Sequence, residues 1–578
     1  MLSFLVFDGD APALRREVRH AHLLGQDAIP VAGEVAFEKG LVVCRKTTPE
    51  SAALAMQVEL DEKALRRVAT VDAPSARGIG VPELKPLGHL TLRTCLLPDR
   101  DQPYLLNLEL ARARIMLFLN ALEEWQLTDL PSDAPLMRLF ESARLTFTDA
   151  LVAQRHGATP QTFGFSPEAD RLAMRALWLA IDAGERLTLH AAARDFADRA
   201  AGRIYERTIE ASPDIRHTVN DRPVPVVTSH RTGVVIPGRP GVGCAVSPQL
   251  FAEPLQNALP GTVDFITMPV RWVDMEPQEG EYSFEKTDRW IEWAVRKARL
   301  PVAAGPVIDF RPGNVPDWVY IWENDYETLR ELVYEHLRAV ITRYRRTVQR
   351  WVVTSGLHVS SNFNLNFDQM MDLTRISVLT AKKLHPQARV YVELTQPWGE
   401  FYTHDRKSLP PMLYAEMINQ AGIPVDGFGL RVQMGGAEPG QSARDLMEFS
   451  AMLDRYAALD RPIGLTGVGC PSVPIDPSGR AAGENGAVQP AGYWRAPWNP
   501  TVQADWLTSA LAVALSKPYV DHVVWQELAD GPKMREMPSG GLLTGAGDPK
   551  PAVARLRELR AAASQKTTPE SLKQHQRL

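Results

Sequence analysis

The spacing of apolar and polar residues changes near residue 100. Before that point, short apolar runs are separated by Asp, Gly and Pro, as in SFLVF, GLVVCRK, LAMQVEL and HLTLRTCLL. Runs of this length between turn-forming residues are typical of β-strands. The pattern therefore predicts a β-rich accessory domain over residues 1–100.

Residues 101–215 follow a helical period instead. In YLLNLELARARIMLFLNALEEWQL, the apolar residues Leu108, Ile115 and Leu119 recur at helical spacing. A second helical block opens at Ser166-Pro167-Glu168, which has the residue types of a helix cap, a first-turn proline and an acidic first turn. We predict a helical segment that packs with the β-rich domain.

Residues 216–240 are rich in proline and predict a linker. Beyond them, apolar runs alternate with helical segments such as EKTDRWIEWAVRKAR and ADWLTSALAVALS. Eight strand candidates follow one another: VGCAV, VDFITMPV, PVAAGPVIDF, VQRWVVTSG, ARVYVEL, VDGFGLRVQM, PIGLTGVG and DHVVWQEL. This alternation predicts an α/β fold, a (β/α)8 TIM barrel over residues 241–562. A doubly wound sheet is the alternative, but no glycine-rich phosphate loop follows the first strand.

Two segments lie outside this alternation. The connection after the seventh strand, residues 471–500, is long and rich in glycine and proline. It follows the carboxyl end of a strand, where barrel active sites are built, so it could be a lid; the alternative is a disordered insertion. Residues 563–578 are predicted to form a polar tail.

Charge and cysteine content exclude several classes of protein. The net charge of −5 over 578 residues, with no stripe of Lys and Arg, argues against a nucleic-acid partner. The four cysteines are far apart and predict neither a metal site nor disulfides, and no cofactor motif is present. The first residues lack the features of a signal peptide, and no apolar run is long enough to span a bilayer. We therefore expect a cytoplasmic protein with no membrane partner.

The barrel resembles glycoside hydrolase family 10, the endo-β-1,4-xylanases, over residues 240–560. Four segments carry the resemblance in the family's order: WVDMEPQEGEYSFEKTDRWIEWA, VPDWV, VDGFGLRVQM, and KPYVDHVVWQELAD followed by GLLTGAGDPKPAV. The resemblance implies hydrolysis of β-1,4-xylosidic bonds in polysaccharides. The chemistry requires two carboxyl groups, one as acid/base and one as nucleophile.

Glycines stand at both positions where the family has its catalytic glutamates. The acid/base glutamate of the family ends the fourth strand, and in WVVTSG its place is taken by Gly356. The nucleophile glutamate ends the seventh strand, and in LTGVG its place is taken by Gly467. Glycine can neither protonate a leaving group nor attack a sugar carbon. Hydrolysis by the family's mechanism is therefore not expected at these positions.

The residues at positions that bind the sugar in the family also differ from the family's residues. Arg271, Arg311, Arg431 and Gln433 occupy such places in this chain, whereas Trp525 keeps the family's aromatic residue. Other polar or aromatic residues at or after predicted strand ends are candidates for ligand binding: His358, Gln396, Trp398, Glu400 and Asp530. In the long loop, Tyr493, Trp494 and Trp498 could stack on a sugar; the alternative for them, as for Trp398, is an aromatic side chain packed within its loop.

Three carboxylates could replace the missing catalytic pair, namely Asp309, Glu393 and Glu527. Three arginines at the same strand ends could hold an anionic group. The alternative is that these acids and arginines neutralise one another as ion pairs. Two hypotheses remain: a carbohydrate-active hydrolase that uses relocated carboxylates, and a non-catalytic carbohydrate-binding or scaffolding pseudoenzyme. The expected partner is an oligosaccharide or glycoconjugate.

Overall fold

A computed structural model of the chain describes most of its residues. These are 1–156, 158–210, 218–219, 222–223, 227–229, 233–359, 363–403, 407–436, 440–475, 491–531 and 537–576. Elements follow the predicted order: strands first, then long helices, then strands that alternate with helices. Apolar side chains from the N-terminal region and from the barrel belong to one continuous buried cluster.

The N-terminal region begins with ten short strands. They are β1 (Leu2–Leu5), β2 (Phe7–Asp8), β3 (Ala11–Pro12), β4 (His22–Leu24), β5 (Pro30–Val31), β6 (Gly33–Glu38), β7 (Leu41–Lys46), β8 (Ala53–Leu60), β9 (Gly88–Arg93) and β10 (Tyr104–Leu105). One sheet has the order β10-β1-β7-β6, and a second contains β9-β8-β4-β5. Apolar residues of both sheets, among them Phe4, Val42 and Leu54, are completely buried.

Five helices accompany these strands. They are α1 (Glu62–Ala69), α2 (Leu106–Glu124), α3 (Pro135–Ala153), α4 (Pro167–Ala201) and α5 (Arg203–Glu210). The helix start predicted at Ser166 is confirmed, because its side chain accepts a hydrogen bond from the backbone N–H of Glu168. Much of the long helix α4 is buried, since it packs against α2 and α3 on one side and against barrel helices on the other.

Part of the predicted linker lies outside the described residues. Four short strands fall within or beside it: β11 (Thr218–Val219), β12 (Arg222–Pro223), β13 (Val227–Ser229) and β14 (Gly233–Val235). They form two antiparallel pairs, β11 with β12 and β13 with β14.

Parallel strands then close into a barrel. They are β15 (Gly241–Ala245), β16 (Phe265–Met268), β17 (Val302–Ala304), β18 (Ile308–Asp309), β19 (Val348–Ser355), β20 (Arg389–Leu394), β21 (Gly427–Gln433), β22 (Ile463–Gly469) and, after β23 (Tyr493–Trp494) outside the barrel, β24 (Val520–Trp525). The segments β17 and β18 both pair with β19 and together form the third of eight strands. Because β15 pairs with both β16 and β24, the sheet has no open edge. The predicted (β/α)8 barrel is confirmed, and the doubly wound alternative is excluded.

Helices surround the barrel. They are α6 (Glu253–Ala258), α7 (Trp272–Met275), α8 (Glu285–Glu292), α9 (Tyr326–Tyr344), α10 (Phe367–Leu384), α11 (Pro411–Gln420), α12 (Leu446–Ala457), α13 (Pro500–Ser516), α14 (Pro551–Gln565) and α15 (Glu570–Gln576). Side-chain caps set several of their starts, as Asn366 does for α10 and Asn499 for α13. The segment predicted as a polar tail contains α15, which packs on α4 of the N-terminal region.

The N-terminal region is joined to the barrel by a shared sheet and by buried ion pairs. β23, in the loop after the seventh barrel strand, pairs with β9 and extends the N-terminal sheet. Arg114 in α2 lies 3.0 Å from Asp445 of the barrel, and both side chains are at most 2% exposed. Loops at the carboxyl ends of barrel strands are therefore held in place by the accessory domain.

Candidate functional site

The register of the barrel places several predicted residues side by side at the carboxyl ends of the strands. Asp309 pairs with Ser355 across β18 and β19, and Ser355 pairs with Glu393 across β19 and β20. Arg431 pairs with Gly467 across β21 and β22. Barrel enzymes build their active sites at this end. The register therefore defines a candidate site in the barrel mouth.

Glu393 is a buried carboxylate of this site, with 1% of its surface exposed. Its Oε1 accepts a hydrogen bond from Ser355 Oγ at 2.6 Å and another from Arg431 Nε at 3.1 Å. Burial raises the pKa of Glu393, but Arg431 and hydrogen bonds from Ser355 and Thr466 lower it more, so the pKa lies below its ordinary value. Glu393 is thus ionised at neutral pH and has no proton to donate as a general acid.

Arg431 and Gln526 fill the space beside Gly467. Arg431 Nη1 donates to Gln526 Oε1 at 3.1 Å, and Gln526 Nε2 donates to Glu527 Oε1 at 3.3 Å. A Cβ atom on Gly467 would lie 2.7 Å from Gln526 Oε1 and 3.4 Å from Arg431 Cγ. The room that a carboxylate side chain would need here is occupied by a guanidinium group and an amide.

Asp309 has polar partners on both of its carboxylate oxygens. Arg311 Nε donates to Oδ1 at 2.9 Å, and Arg311 Nη2 donates to Oδ2 at 2.5 Å. Asn314 Nδ2 also donates to Oδ2, at 2.9 Å. Only 4% of Asp309 is exposed. This two-pronged pairing fixes the carboxylate and keeps it from acting as a free nucleophile.

The three arginines of the mouth differ in accessibility. Arg271 Nε donates to Asp274 Oδ2 at 2.7 Å, and Gln249 contacts the other oxygen of that carboxylate. The Arg271 side chain is 36% exposed, compared with 23% for Arg311 and 8% for Arg431. Each of the three contacts a carboxylate of this chain, and Arg271 is the most accessible to a ligand.

Gly356 lies just after the fourth barrel strand in a left-handed conformation, with φ +62°. Its N–H donates to the carbonyl of Glu393, and its own carbonyl accepts from the N–H of Val359. A Cβ at this position would lie 3.2 Å from Thr395 Oγ1. A side chain here would be strained by the backbone conformation and crowded by the neighbouring loop.

His358 is completely buried and does not reach the surface of the mouth. Its Nε2 contacts the carbonyl oxygen of Thr395 at 3.0 Å, and its ring stacks on Tyr414. Burial lowers the pKa of His358 to about 4. The contact with a carbonyl identifies Nε2 as the protonated nitrogen of a neutral imidazole.

The loop after the fifth barrel strand packs toward the N-terminal domain. Trp398 is 5% exposed, and the guanidinium carbon of Arg444 lies 4.3 Å from the centre of its ring. Glu400 forms an ion pair with Arg444 and accepts from Ser442 Oγ at 2.7 Å. Burial raises the pKa of Glu400, whereas Arg444 and nearby histidines lower it to about 2. Gln396, in the same loop, has φ 51°.

The remaining predicted residues lie at or after the ends of the sixth and eighth strands. Gln433 accepts from Gln441 Nε2 at 2.8 Å. Trp525 is completely buried, and its Nε1 donates to the carbonyl of Gly540 at 3.0 Å. Asp530 Oδ1 accepts from Lys550 Nζ at 2.7 Å. Glu527 is partly exposed beside Gln526.

The aromatic residues predicted in the long loop after the seventh barrel strand form hydrogen bonds and strand pairs within the protein. Tyr493 and Trp494 form β23, and Trp494 Nε1 donates to Glu185 of α4 at 2.6 Å. Trp498 Nε1 donates to the carbonyl of Gly492 at 2.9 Å. Residues 476–490, the middle of the predicted lid, lie outside the described residues.

Sequence reasoning did not single out Gln526 or Thr466, which both belong to the polar network of the mouth. Gln526 follows the buried Trp525 directly, so its position at the end of the eighth strand was a usable signal. Among the described residues, no group of three or more His, Cys, Asp or Glu could hold a metal ion. In the same residues, no helix is long and apolar enough to cross a membrane.

A closed eight-stranded parallel barrel with charged groups at its strand ends defines the class, a (β/α)8 barrel. Residues 238–469 match the family model described as "Glycosyl hydrolase family 10". This part of the barrel is therefore similar to that family, and the similarity supports a carbohydrate ligand.

Curated relatives of the chain are xylan-hydrolysing enzymes. An endo-1,4-beta-xylanase of Agaricus bisporus is 23% identical over 38% of this chain and 67% of its own length. Endo-1,4-beta-xylanase B of Thermotoga neapolitana is 19% identical over 34% of this chain and 55% of its own length. The chain thus spans about two thirds or less of the length of these relatives.

Solved structures that resemble the chain include xylanase B from Clostridium stercorarium F9. It has a TM-score of 0.41 and 16% identity, and the match covers 55% of this chain and 97% of that one. Native xylanase 10B from Thermotoga maritima has a TM-score of 0.41 and 16% identity, with 57% and 97% of the two chains covered.

Proposed function

We propose that the barrel binds a β-1,4-linked oligosaccharide of the xylan type in its mouth and does not hydrolyse it by the two-carboxylate mechanism. The family match and the names of the curated relatives support this class of ligand. The observation that carries the absence of hydrolysis is the ion pair between Arg431 and Glu393, with Arg431 and Gln526 filling the space beside Gly467.

A retaining glycosidase needs one protonated carboxyl group and one free carboxylate about 5 to 5.5 Å apart. Glu393 is ionised and bound by Arg431, and Asp309 is held at both oxygens by Arg311. Neither group meets either requirement. The polar side chains of the mouth can still hydrogen-bond to sugar hydroxyls. Because these side chains can bind a sugar but supply no catalytic pair of carboxyl groups, we expect binding without turnover.

The more specific part of the proposal concerns an anionic group on the ligand. Arg271 is the most exposed of the three arginines and would contact such a group, for example the carboxylate of a uronic acid side branch. Arg311 and Arg431 hold buried carboxylates and would remain with them.

Calorimetric titration with xylotetraose, together with chromatography of the same mixtures after prolonged incubation, tests the proposal. We expect saturable binding and no shortened products. Parallel titrations use xylotetraose with and without a glucuronic acid branch. Arg271→Gln should remove the preference for the branched ligand, whereas Arg296→Gln, on the outer surface of the barrel, should leave it unchanged.

Two results would overturn the proposal. One is absence of binding to any xylo-oligosaccharide. The other is release of shorter sugars that stops in Glu393→Gln or Glu527→Gln, because this would establish a relocated catalytic pair. Circular dichroism of both variants shows whether the loss of product comes from chemistry or from unfolding.

A further inference from the structure

A small polar cavity lies between the N-terminal sheet and the barrel, and its lining contains neither Glu393, Arg431 nor Asp309. Its volume is about 20 Å³, room for a single water-sized occupant. Residues from both sides line it, among them Thr91 and Arg93 from the N-terminal domain and Trp398, Arg444, Glu448 and Arg455 from the barrel.

Several polar atoms of this lining have no hydrogen-bond partner in the protein. They include two donors, Trp398 Nε1 and Arg455 Nε, the hydroxyl Thr91 Oγ1, and one acceptor, Glu448 Oε2, which lies 3.4 Å from Arg114 Nη1 in an ion pair. Trp398 and Thr91 are 5% and 2% exposed. An indole N–H and a guanidinium N–H can only donate, and a hydroxyl can donate as well. Buried donors that lack acceptors are costly, so the cavity favours an occupant that accepts hydrogen bonds.

The charge of the lining favours an anion over a neutral acceptor. Three arginines, Arg93, Arg444 and Arg455, line the cavity together with one carboxylate, Glu448. Arg444 is also paired with Glu400, which lies outside the lining. Cations exceed anions by one among these five groups. Together with the single-occupant volume, this excess selects a compact anion.

We propose that this cavity is a binding site for one monatomic anion, chloride in solution, which bridges the N-terminal domain and the barrel. Thr91 and Arg93 would hold it from one side, and Trp398 and Arg455 from the other. The small volume favours a monatomic ion over a tetrahedral oxyanion such as sulfate. Because the folded protein alone presents this set of donors, binding stabilises the contact between the two parts of the chain.

Thermal unfolding of the full chain tests the proposal. The protein is prepared in sodium gluconate, and sodium chloride or sodium bromide replaces gluconate at constant ionic strength. We expect both halides to raise Tm by at least about 2 °C, with saturation. Sodium sulfate at matched ionic strength should not produce a saturable rise. Crystals grown in bromide should show one anomalous scattering peak in the cavity.

Trp398→Phe removes the indole donor but keeps an aromatic ring, and it should abolish the saturable halide response. Trp290→Phe is the matched control, because it also removes a buried indole donor, the one bonded to the Ser247 carbonyl far from the cavity. That variant loses stability in every salt and keeps the halide response. No bromide peak, or the same halide response in both variants, would show that the cavity holds only water and would overturn the proposal.

Discussion

Replacement of Arg431 by methionine tests whether the ion pair in the barrel mouth is as buried as the structure shows. Methionine keeps the unbranched aliphatic chain but removes the charge and all hydrogen-bond donors. Glu393 is 1% exposed and would remain a buried carboxylate without its cationic partner. Breaking one side of a buried ion pair costs about 3–5 kcal/mol. We expect the free energy of unfolding to fall by that amount at pH 7.

The loss should depend on pH in a defined direction. In the wild type, the folded pKa of Glu393 lies below the unfolded one, so its contribution is present above the unfolded value of about 4.3 and is lost as pH falls through the folded value. Without Arg431, burial dominates and raises the folded pKa above the unfolded one. Protonation then relieves the buried charge, and the variant's deficit shrinks as pH falls from 7 toward 5.

Urea titrations at several pH values, followed by both tryptophan fluorescence and circular dichroism, measure the effect. Coincident transitions from the two probes justify a two-state free energy. The double variant Glu393→Gln with Arg431→Met should recover much of the lost stability, since no charge is left buried. A loss below about 1 kcal/mol at pH 7, or a deficit independent of pH, would refute the buried pair.

Three further predictions are checked by the same urea titrations. Gly356→Ala should lower the free energy of unfolding by about 1–2 kcal/mol, because alanine strains a left-handed backbone and its Cβ crowds Thr395. Glu185→Ala should cost about 3 kcal/mol, because it removes the buried acceptor shared by Arg495, Trp494 Nε1 and the Leu446 N–H, and Asp182 is then the remaining partner of Arg495. His358→Gln should weaken the loss of stability between pH 6.5 and 4, since the wild-type imidazole, with a folded pKa of about 4, stays neutral while the unfolded one binds a proton.

Each of these has a control or a contradicting result. Gly422→Ala is the control for backbone strain alone, because Gly422 is also left-handed but has open space where a Cβ would lie. If Gly356→Ala and Gly422→Ala lower the free energy of unfolding equally, crowding against Thr395 does not contribute. Glu292→Ala removes an exposed carboxylate and should change stability by less than about 0.5 kcal/mol. An unchanged pH slope in His358→Gln would contradict the buried neutral histidine.

Periodicity was sufficient to predict the barrel because each strand is a short apolar run buried on both faces. The run VQRWVVTSG became β19, and PIGLTGVG became β22, each with the bounds that its apolar residues indicate. Glycine at residues 356 and 467 could likewise be read directly, since a missing side chain is a property of the residue itself. The strand ends that carry Asp309, Glu393 and Arg431 were also foreseeable, because they follow from the strand bounds.

The pairing of those charged side chains with one another could not be predicted from the sequence. The same residues are compatible with two arrangements. The three arginines could be open to a ligand, or they could form ion pairs with the neighbouring carboxylates. Arg431 contacts Glu393 because the two strands that carry them are neighbours and their side chains point into the same small volume. Gln526 completes the network from a third strand. Such contacts depend on side-chain direction and separation in space, which residue order does not encode locally.

The position of the accessory domain was decided by tertiary structure as well. Trp398, Tyr493 and Trp494 are aromatic residues of the kind that bind sugars, yet they pack toward the N-terminal domain. There β23 (Tyr493–Trp494) pairs with β9 (Gly88–Arg93), which lies far earlier in the chain. The sequence by itself determined an eight-stranded parallel barrel, because strand burial and period are local properties. Only the folded chain decided that its charged mouth is neutralised from within and that its loops are held by the accessory domain, because both depend on which distant residues meet.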